Sequence, residues 1–522
     1  DRKVVPMGPK EKEIALNTVN NLSSQALRVL AVGIKGYTDD SKADPESLES
    51  DLIFLGLNAA IDPERPEVAG AILLARNAGV DTVMITGDYL ATARAIAENI
   101  DLLPKGDPEN SNRVMDCREL RKLGQRIAKL RKDTKEATSE MKPKVKAALD
   151  GVYAEVDEIT SRTKVYARAE PTDKITIIES YKRQGHVASM TGDGVNDAAA
   201  LQGANIGVAM GSGTDVAKRS ADMILLDDSF ATIVAAIKEG RKIYANITKF
   251  VFFLLSTNVA EVFLILIALL AGLRTPLVPI QILWLNLVTD GAPAVALALE
   301  QAEPGIMDQG PRPLSEPILE KLMITGIVIQ TILETGITLA VYVIGLQWNV
   351  GSPDGTNDDL SDDDITDATQ RAQTMVIYVI VFLELLRAYT SRSLRSSVFT
   401  MGLFSNQPMQ YAVGFSVVFT LFVGHVPGLM DIFSMSYLGG REWGLVIGLT
   451  PVCAIADEIT KWVYRRTGYG LRPKVNIDEV GKRMTGKRDI QLEIRSPEDS
   501  NELGETKQLK SLPTLSTPQQ SA

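Results

Sequence analysis

Cysteine is almost absent: Cys117 and Cys453 are the only two in 522 residues, and they fall in stretches of different character. No disulfide framework and no CxxC metal site is available, which excludes cysteine chemistry as the function and suits a cytosolic head. A basic excess is missing too. The chain has 55 Lys and Arg against 65 Asp and Glu, and the net charge of -10 argues against nucleic acid as a partner. No signal peptide opens the chain, and the abrupt start at "DRKVVPMG" points to an incomplete protein.

What is present is unevenly spread. Residues 1–240 alternate short apolar runs with charged stretches, residues 243–466 are dominated by long apolar runs, and residues 473–522 are polar and rich in Ser, Thr, Pro, Glu and Lys. The pattern reads as a soluble part, a membrane part and a disordered tail.

Hydropathy marks six expected spans, at 246–271, 277–299, 322–346, 373–390, 410–430 and 443–464. Basic residues gather before the first span (Lys238, Arg241, Lys242, Lys249) and after the second, fourth and sixth, so the positive-inside rule puts head and tail on the cytosolic side. The loop "NVGSPDGTNDDLSDDDITDATQ" holds seven aspartates and falls on the far side, as a solvated loop or a weak cation sink. Inside the spans, polar residues need a reason, because a carboxylate at the bilayer centre costs about 2.5–3.5 kcal/mol on insertion scales. Asn258 and Glu261 share one helical face, as do Asn286, Thr289 and Asp290, and Glu384 lies in "VIVFLELLRAY". Gly291 and Pro293 in "DGAP" are expected to loosen the second helix there, exposing carbonyl oxygens. An all-oxygen set of this kind suits a hard cation that takes six to eight oxygens. Interhelical hydrogen bonding that merely holds a bundle together is the alternative.

Residues 51–240 read as alternating β and α, from "LIFLGLNAAI" to "DMILLDD", which implies a parallel sheet with helices on both faces and ligands at the carboxyl ends of strands. "ITGD" and "TGDG" sit at such ends. Thr86, Gly87 and Asp88 offer a hydroxyl and backbone N–H groups at a helix N-terminus. Asp193 and Asp197 repel each other unless a cation lies close, and Gly192 and Gly194 let the backbone bend around a magnesium-bound phosphate. A helix-capping acidic turn is the plainer alternative. Lys174, in the first turn of its helix, is either a surface lysine or a phosphate contact.

"DPERPEV", "MITGD", "ARAEPTDK", "MTGDGVNDAAAL" and "ILWLNLVTDGAPA" occur in an order that resembles the P-type cation-transporting ATPases, specifically type II calcium pumps of the sarcoplasmic and endoplasmic reticulum kind, over residues 20–466. The fold class this implies is an α/β, haloacid dehalogenase-like (Rossmann-like) phosphorylation domain followed by an all-α six-helix transmembrane domain. The resemblance implies that Asp193 binds the catalytic magnesium, that Asn196 and Asp197 support the phosphoryl site, and that Thr86, Gly87 and Asp88 line it. It further implies that Lys174 contacts the phosphate, that Arg28 and Arg168 engage ATP, and that Asn258, Glu261, Asn286, Thr289, Asp290 and Glu384 hold calcium. The expected domains are 1–50 (end of a nucleotide-binding domain), 51–242 (phosphorylation domain, with a helical insertion at 124–162), 243–466 (membrane) and 467–522 (tail), in an endomembrane or the plasma membrane.

Two departures stand out. No "DKTGT" and no "TGES" occur in the chain, so the phosphorylated aspartate and the actuator domain of the family have no counterpart, and the chain is expected to be inactive alone, as the carboxyl-terminal part of a longer pump. The stretch 124–162 is longer than the family usually has and reads as an exposed helical hairpin, as a docking element or neutral insertion. Competing readings are a monovalent-cation or manganese pump, a soluble-type phosphatase fused to helices, whose nucleophilic aspartate has no counterpart upstream of residue 51, and a non-catalytic paralogue that binds cations or regulates a full pump.

Overall fold

The computed structural model describes residues 4–36, 50–61, 63–357 and 359–469. Of the expected disordered tail, 467–522, residues 470–522 lie outside them, and Thr467 still belongs to a helix.

The chain begins with α1 (Pro9–Ser23), which starts on a proline whose missing N–H is no loss in a first turn. Strands β1 (Arg28–Ile34) and β2 (Ile53–Ala60) then pair antiparallel, Arg28 opposite Ala60, with a register shift at Val32/Gly33. This corrects the expectation that "LIFLGLNAAI" joins the parallel sheet. An antiparallel partner lies immediately upstream, and Ile53, Phe54 and Leu55 stay exposed in the hairpin. The pairing also joins residues on both sides of the expected boundary at 50/51.

Six short strands follow, each leading into a helix or a turn. Strands β3 (Met84–Ile85), β4 (Val114–Asp116) and β5 (Val165–Ala167) form one parallel sheet in the order β3-β5-β4. Strands β6 (Ser189–Gly192), β7 (Ile206–Met210) and β8 (Met223–Leu225) form a second parallel sheet in sequence order. The expected alternation is present, divided between two three-stranded sheets among the described residues. Helices α2 (Glu67–Asn77) and α3 (Leu90–Asn99) serve the first sheet, and α7 (Ala198–Gly203) and α8 (Asp215–Ser220) the second. Helix α6 (Pro171–Arg183) packs Ile178 against Met190 and Leu201, with Ile85 at the margin, so the two sheets share one apolar layer.

The long stretch between β4 and β5 is a helical hairpin, as expected, of α4 (Cys117–Glu136) and α5 (Lys142–Arg162). Leu120, Leu123 and Ile127 meet Leu149, Val152 and Val156 at helical spacing, and the outer faces are charged. Asp116 caps α4 through the Arg118 backbone N–H at 3.0 Å, and its bonds to Arg118 hold the carboxyl below its ordinary value.

Helix α9 (Phe230–Leu270) runs 41 residues without a break, from the α/β layers into the apolar region. The expected boundary at 242/243 falls inside it. Arg241 on this helix donates to the Ala78 carbonyl at the end of α2 and to those of Ile306 and Gln309, which ties the α/β part to the loop after the second apolar helix.

Five helices are long and apolar enough to cross a membrane among the described residues: Phe230–Leu270, Pro279–Ala298, Lys321–Asn349, Asp362–Thr390 and Gly440–Thr467. The second comprises α10 (Pro279–Trp284), a π turn at Leu285–Thr289 and α11 (Gly291–Ala298). The third and fourth are α12 (Lys321–Asn349) and α13 (Asp362–Thr390), and the last joins α17 (Gly440–Leu449) to α18 (Pro451–Thr467). The short α14 (Val398–Met401) follows α13. The expected span at 410–430 is broken instead. Helix α15 (Gln407–Val423) has 17 residues and stops before Gly424, where a Cβ would collide with the Tyr378 hydroxyl, and Pro427 starts the separate α16 (Pro427–Ile432). Helix α13 is the centre of the bundle, buried along most of its apolar length, and Gly345 of α12 lets Ala372 approach closely.

Candidate functional site

The α/β part presents three strand-end loops. At the end of β3, Thr86 donates its hydroxyl to Asp88 at 2.7 Å and accepts the Asp88 N–H at 3.1 Å, so the "TGD" turn is closed on itself. Arg168, one residue past β5, lends its N–H to the Asp88 carbonyl at 3.0 Å from a left-handed backbone (φ 53°), and its guanidinium covers the Tyr89 ring at 4.9 Å. The structure thus brings Thr86, Asp88 and Arg168 together. Gly87 is exposed and a Cβ there would meet nothing.

At the end of β6 the chain turns around one buried carboxylate. Asp197 Oδ2 accepts the N–H groups of Asp193 and Gly194, both at 3.2 Å, and Oδ1 takes the Lys174 ammonium. Gly192 is required for this turn, since a Cβ would lie 2.5 Å from the Asp197 Cβ, and Gly213 admits the Asp193 backbone, with a hypothetical Cβ 2.8 Å from its carbonyl oxygen. Asp193 and Asn196 remain exposed. Helix α6 places Lys174 in its first turn because Pro171 starts the helix and Asp173 accepts the Glu170 N–H at 2.9 Å. Arg121, from the α4–α5 hairpin, holds Asp173 at 2.7 Å and the Arg168 carbonyl at 3.0 Å, so the hairpin's base braces the loop between β5 and α6. Reading the sequence alone had not pointed to Arg121.

Arg28 stands apart. It opens β1 on an exposed edge, and among the described residues no hydrogen bond or ring contact joins it to Arg168; its neighbour Leu27 accepts at its carbonyl from Thr92 of α3 at 3.2 Å.

In the apolar region Glu261, Thr289, Asp290 and Glu384 are buried, and Asn286 is exposed. Their links are pairwise. Asn286 Nδ2 donates to Glu261 Oε2 at 3.3 Å, Thr289 Oγ1 to Glu384 Oε2 at 3.4 Å, and Thr257 Oγ1 to Asp290 Oδ2 at 3.0 Å. Asn258 bonds back to its own helix at Leu254. One oxygen each of Glu261, Asp290 and Glu384 is buried without a partner, a costly arrangement for a carboxylate. No three Asp, Glu, His or Cys side chains converge at metal-holding distance among the described residues, so the carboxylates stand near one another without a shared centre. The second helix is loosened at Leu285–Thr289, just before "DGAP", without unwinding. It stays helical through a π turn in which the Asp290 N–H reaches the Leu285 carbonyl at 3.0 Å, and this wider turn carries Asn286 and Thr289.

A second buried polar group adjoins the first and escaped the sequence reading. Glu334 of α12 pairs with Arg387 of α13 at 2.5 Å, and Arg387 also donates to Ser256 of α9. Gln330 and Thr390 both donate to Asp457 of α18. The signal was the same one that singled out Glu384: an ionisable residue within an apolar run, here in "TILETG", "FLELLRAY" and "AIADEIT".

A parallel α/β layer with acidic strand-end loops, tied by one continuous helix to a bundle with buried carboxylates, defines a haloacid dehalogenase-like domain joined to a helical region whose helices are long and apolar enough to cross a membrane. Family comparison agrees: residues 22–205 and 174–237 match models of haloacid dehalogenase-like hydrolases, and residues 274–463 match the C-terminus of cation transporting ATPases. The chain belongs to the P-type cation-transporting ATPases. It is 38% identical to a calcium-transporting ATPase of Bacillus subtilis over 435 residues, 83% of this chain and 43% of that protein. It is 37% identical to calcium-transporting ATPase type 2C member 1 of Mus musculus, over 85% of this chain and 42% of that protein. Over 359 residues, 65% of this chain and 25% of the relative, it is 43% identical to P-type sodium-transporting ATPase4 of Toxoplasma gondii. The chain spans less than half the length of each of these relatives.

Proposed function

We propose that this chain supplies the phosphoryl-transfer loops and the cation path of an ATP-driven calcium pump whose phosphorylated aspartate lies outside these 522 residues. The observation that carries this reading is the set of buried carboxylates Glu261, Asp290 and Glu384, on three helices, each keeping one oxygen free of any partner. Oxygens from helices that can adjust suit calcium, which accepts irregular coordination, better than magnesium, which does not. Glu261, Asp290 and Glu384, with Asn258, Asn286 and Thr289, would take up the transported ion.

The strand-end loops fit a magnesium-dependent phosphoryl site. Asp193 is exposed at a strand end on a backbone that Gly192 and Gly213 keep open, and so would hold Mg2+; the metal would offset charge on the phosphate. Asp197 has both oxygens engaged and therefore shapes the loop and aims Lys174, while exposed Gly87 would offer its N–H to a phosphate in a turn that Thr86 and Asp88 hold by bonding each other, with Asn196 beside it. Arg168 and Arg28 are the nucleotide contacts in this reading. Alone, the chain has no "DKTGT" aspartate to phosphorylate and is expected to show no ATP turnover. Its helices make it a multi-pass membrane protein, which we orient with head and tail in the cytosol.

ATP-driven 45Ca uptake by the full-length protein in liposomes tests the reading. A sodium pump is the second reading, favoured by the 43% identity to the Toxoplasma gondii protein. Uptake of 22Na with no calcium response would replace the first reading by the second.

A further inference from the structure

We propose that Glu334 and Arg387 set the cation affinity of the membrane site from beside it, as an ion pair whose two charges act on the transported cation in opposite directions; this rests on the cation-pump reading above. Both residues are fully buried, at 1% and 0% exposure, and they meet at 2.5 Å between α12 and α13. A lone buried charge in this setting is costly, so each ion stabilises the other.

Three links place the pair against the site. Arg387 lies three residues after Glu384 on α13, hence on the same helical face. It also donates to Ser256, whose neighbour Thr257 donates to Asp290 at 3.0 Å. On the other side, Thr335, next to Glu334, donates to the Ala260 carbonyl at 3.2 Å, one residue before Glu261. Glu384 is therefore one turn from Arg387, and Asp290 and Glu261 are each linked to the pair by way of neighbouring residues and their hydrogen bonds. The pair keeps unspent capacity as well: Glu334 Oε1 and Arg387 Nε are buried without partners. In a medium of low dielectric a unit charge at this range is strongly felt by a divalent ion. With both members present the two fields largely cancel at the site; with one removed, the other acts alone.

Sign is what distinguishes this from a structural role. Arg387→Gln leaves Glu334 as an extra negative charge and is expected to lower the half-activating cation concentration roughly tenfold, whereas Glu334→Gln leaves Arg387 unopposed and is expected to raise it by about as much. The double variant removes both charges and is expected to stay within about threefold of the wild type, since replacing a buried pair as a unit is close to neutral. Arg387→Lys keeps the charge and is likewise expected within about threefold, and it serves if a single variant fails to fold. The readout is half-activating calcium or sodium for ATP hydrolysis by the full-length protein, recorded separately from the maximal rate. Shifts of both single variants in the same direction, no shift in either, or a large shift in Arg387→Lys or in the double variant would overturn the inference. A wild-type protein that pumps neither ion would overturn the cation-pump reading and the inference with it, whereas a pumping wild type with unshifted variants would overturn the inference alone.

Discussion

Asn286 donates its side-chain amide to Glu261 at 3.3 Å, joining the π turn of the second apolar helix to α9 at the point where both carry candidate cation ligands. The amide is exposed and the carboxylate buried, so the contact orients Glu261 without supplying charge. Asn286→Ala is expected to raise half-activating calcium by up to about tenfold, the value of one hydrogen bond to an ion. Asp290→Asn removes charge from a residue at 1% exposure whose Oδ1 has no partner, and is expected to abolish calcium activation of phosphorylation from ATP. Glu384→Gln is expected to fall between them and to lower the cooperativity of calcium activation. The assay is phosphoenzyme formation by the full-length protein against free calcium, and an Asn286 variant worse than the Asp290 variant would reverse the assignment.

The two aspartates of "TGDGVND" are expected to fail differently. Asp193 is exposed, and Asp193→Asn is expected to fold as the wild type does while losing phosphoryl transfer. Asp197 is buried and accepts two backbone N–H groups and Lys174; Asp197→Ala is expected to cost stability by about 2–4 kcal/mol, because three donors lose one acceptor. Thermal unfolding alongside phosphorylation separates the two. An Asp193 variant that turns over normally removes it from the metal site.

How much of this was legible beforehand depends on where the signal lies. "TGD" and "TGDG" could be placed at strand ends because glycine and acid after a short apolar run leave few other options, and Asn258, Glu261, Asn286, Thr289, Asp290 and Glu384 stood out because charge and amides in an apolar run need partners. The β1–β2 hairpin was not legible, since an apolar run carries no mark of parallel or antiparallel pairing. Nor was the π turn: Gly291 and Pro293 announce a weakness in the helix but not whether it unwinds or widens. Glu334 and Arg387 obey the same rule as Glu384, but nothing in the two apolar runs marks that α12 and α13 meet there.

Cys117 is expected to be inert while the protein is folded. It is fully buried between α4 and α6, and burial, aided by the Asp173 charge, pushes its thiol up to about 12. Iodoacetamide at pH 8 is expected to leave Cys117 unmodified in the native protein and to alkylate it after denaturation, read by peptide mass. Rapid labelling of native protein would show that the base of the α4–α5 hairpin opens.

The last prediction concerns acid. Arg392, just past α13, grips Glu300, just past α11, through two bonds of 2.8 and 3.0 Å, and Asn406 adds a third at 2.8 Å. Burial alone would raise the Glu300 carboxyl, but the guanidinium and the amide outweigh it and hold the group below its ordinary value. A carboxyl depressed in the folded state stabilises above its unfolded pKa of about 4.3 and loses that contribution as pH falls through the folded value. Lowering pH from 7 to 5 is therefore not expected to loosen this contact in the wild type. In Arg392→Gln the carboxylate is left buried without its cation, which is expected to cost about 3–5 kcal/mol at pH 7. Its deficit should shrink as pH drops, because protonation now relieves the buried charge. Unfolding midpoints of the two proteins in detergent at pH 7 and pH 5 provide the comparison, and a gap that stays constant or widens toward pH 5 would show that the Glu300–Arg392 contact does not carry this load.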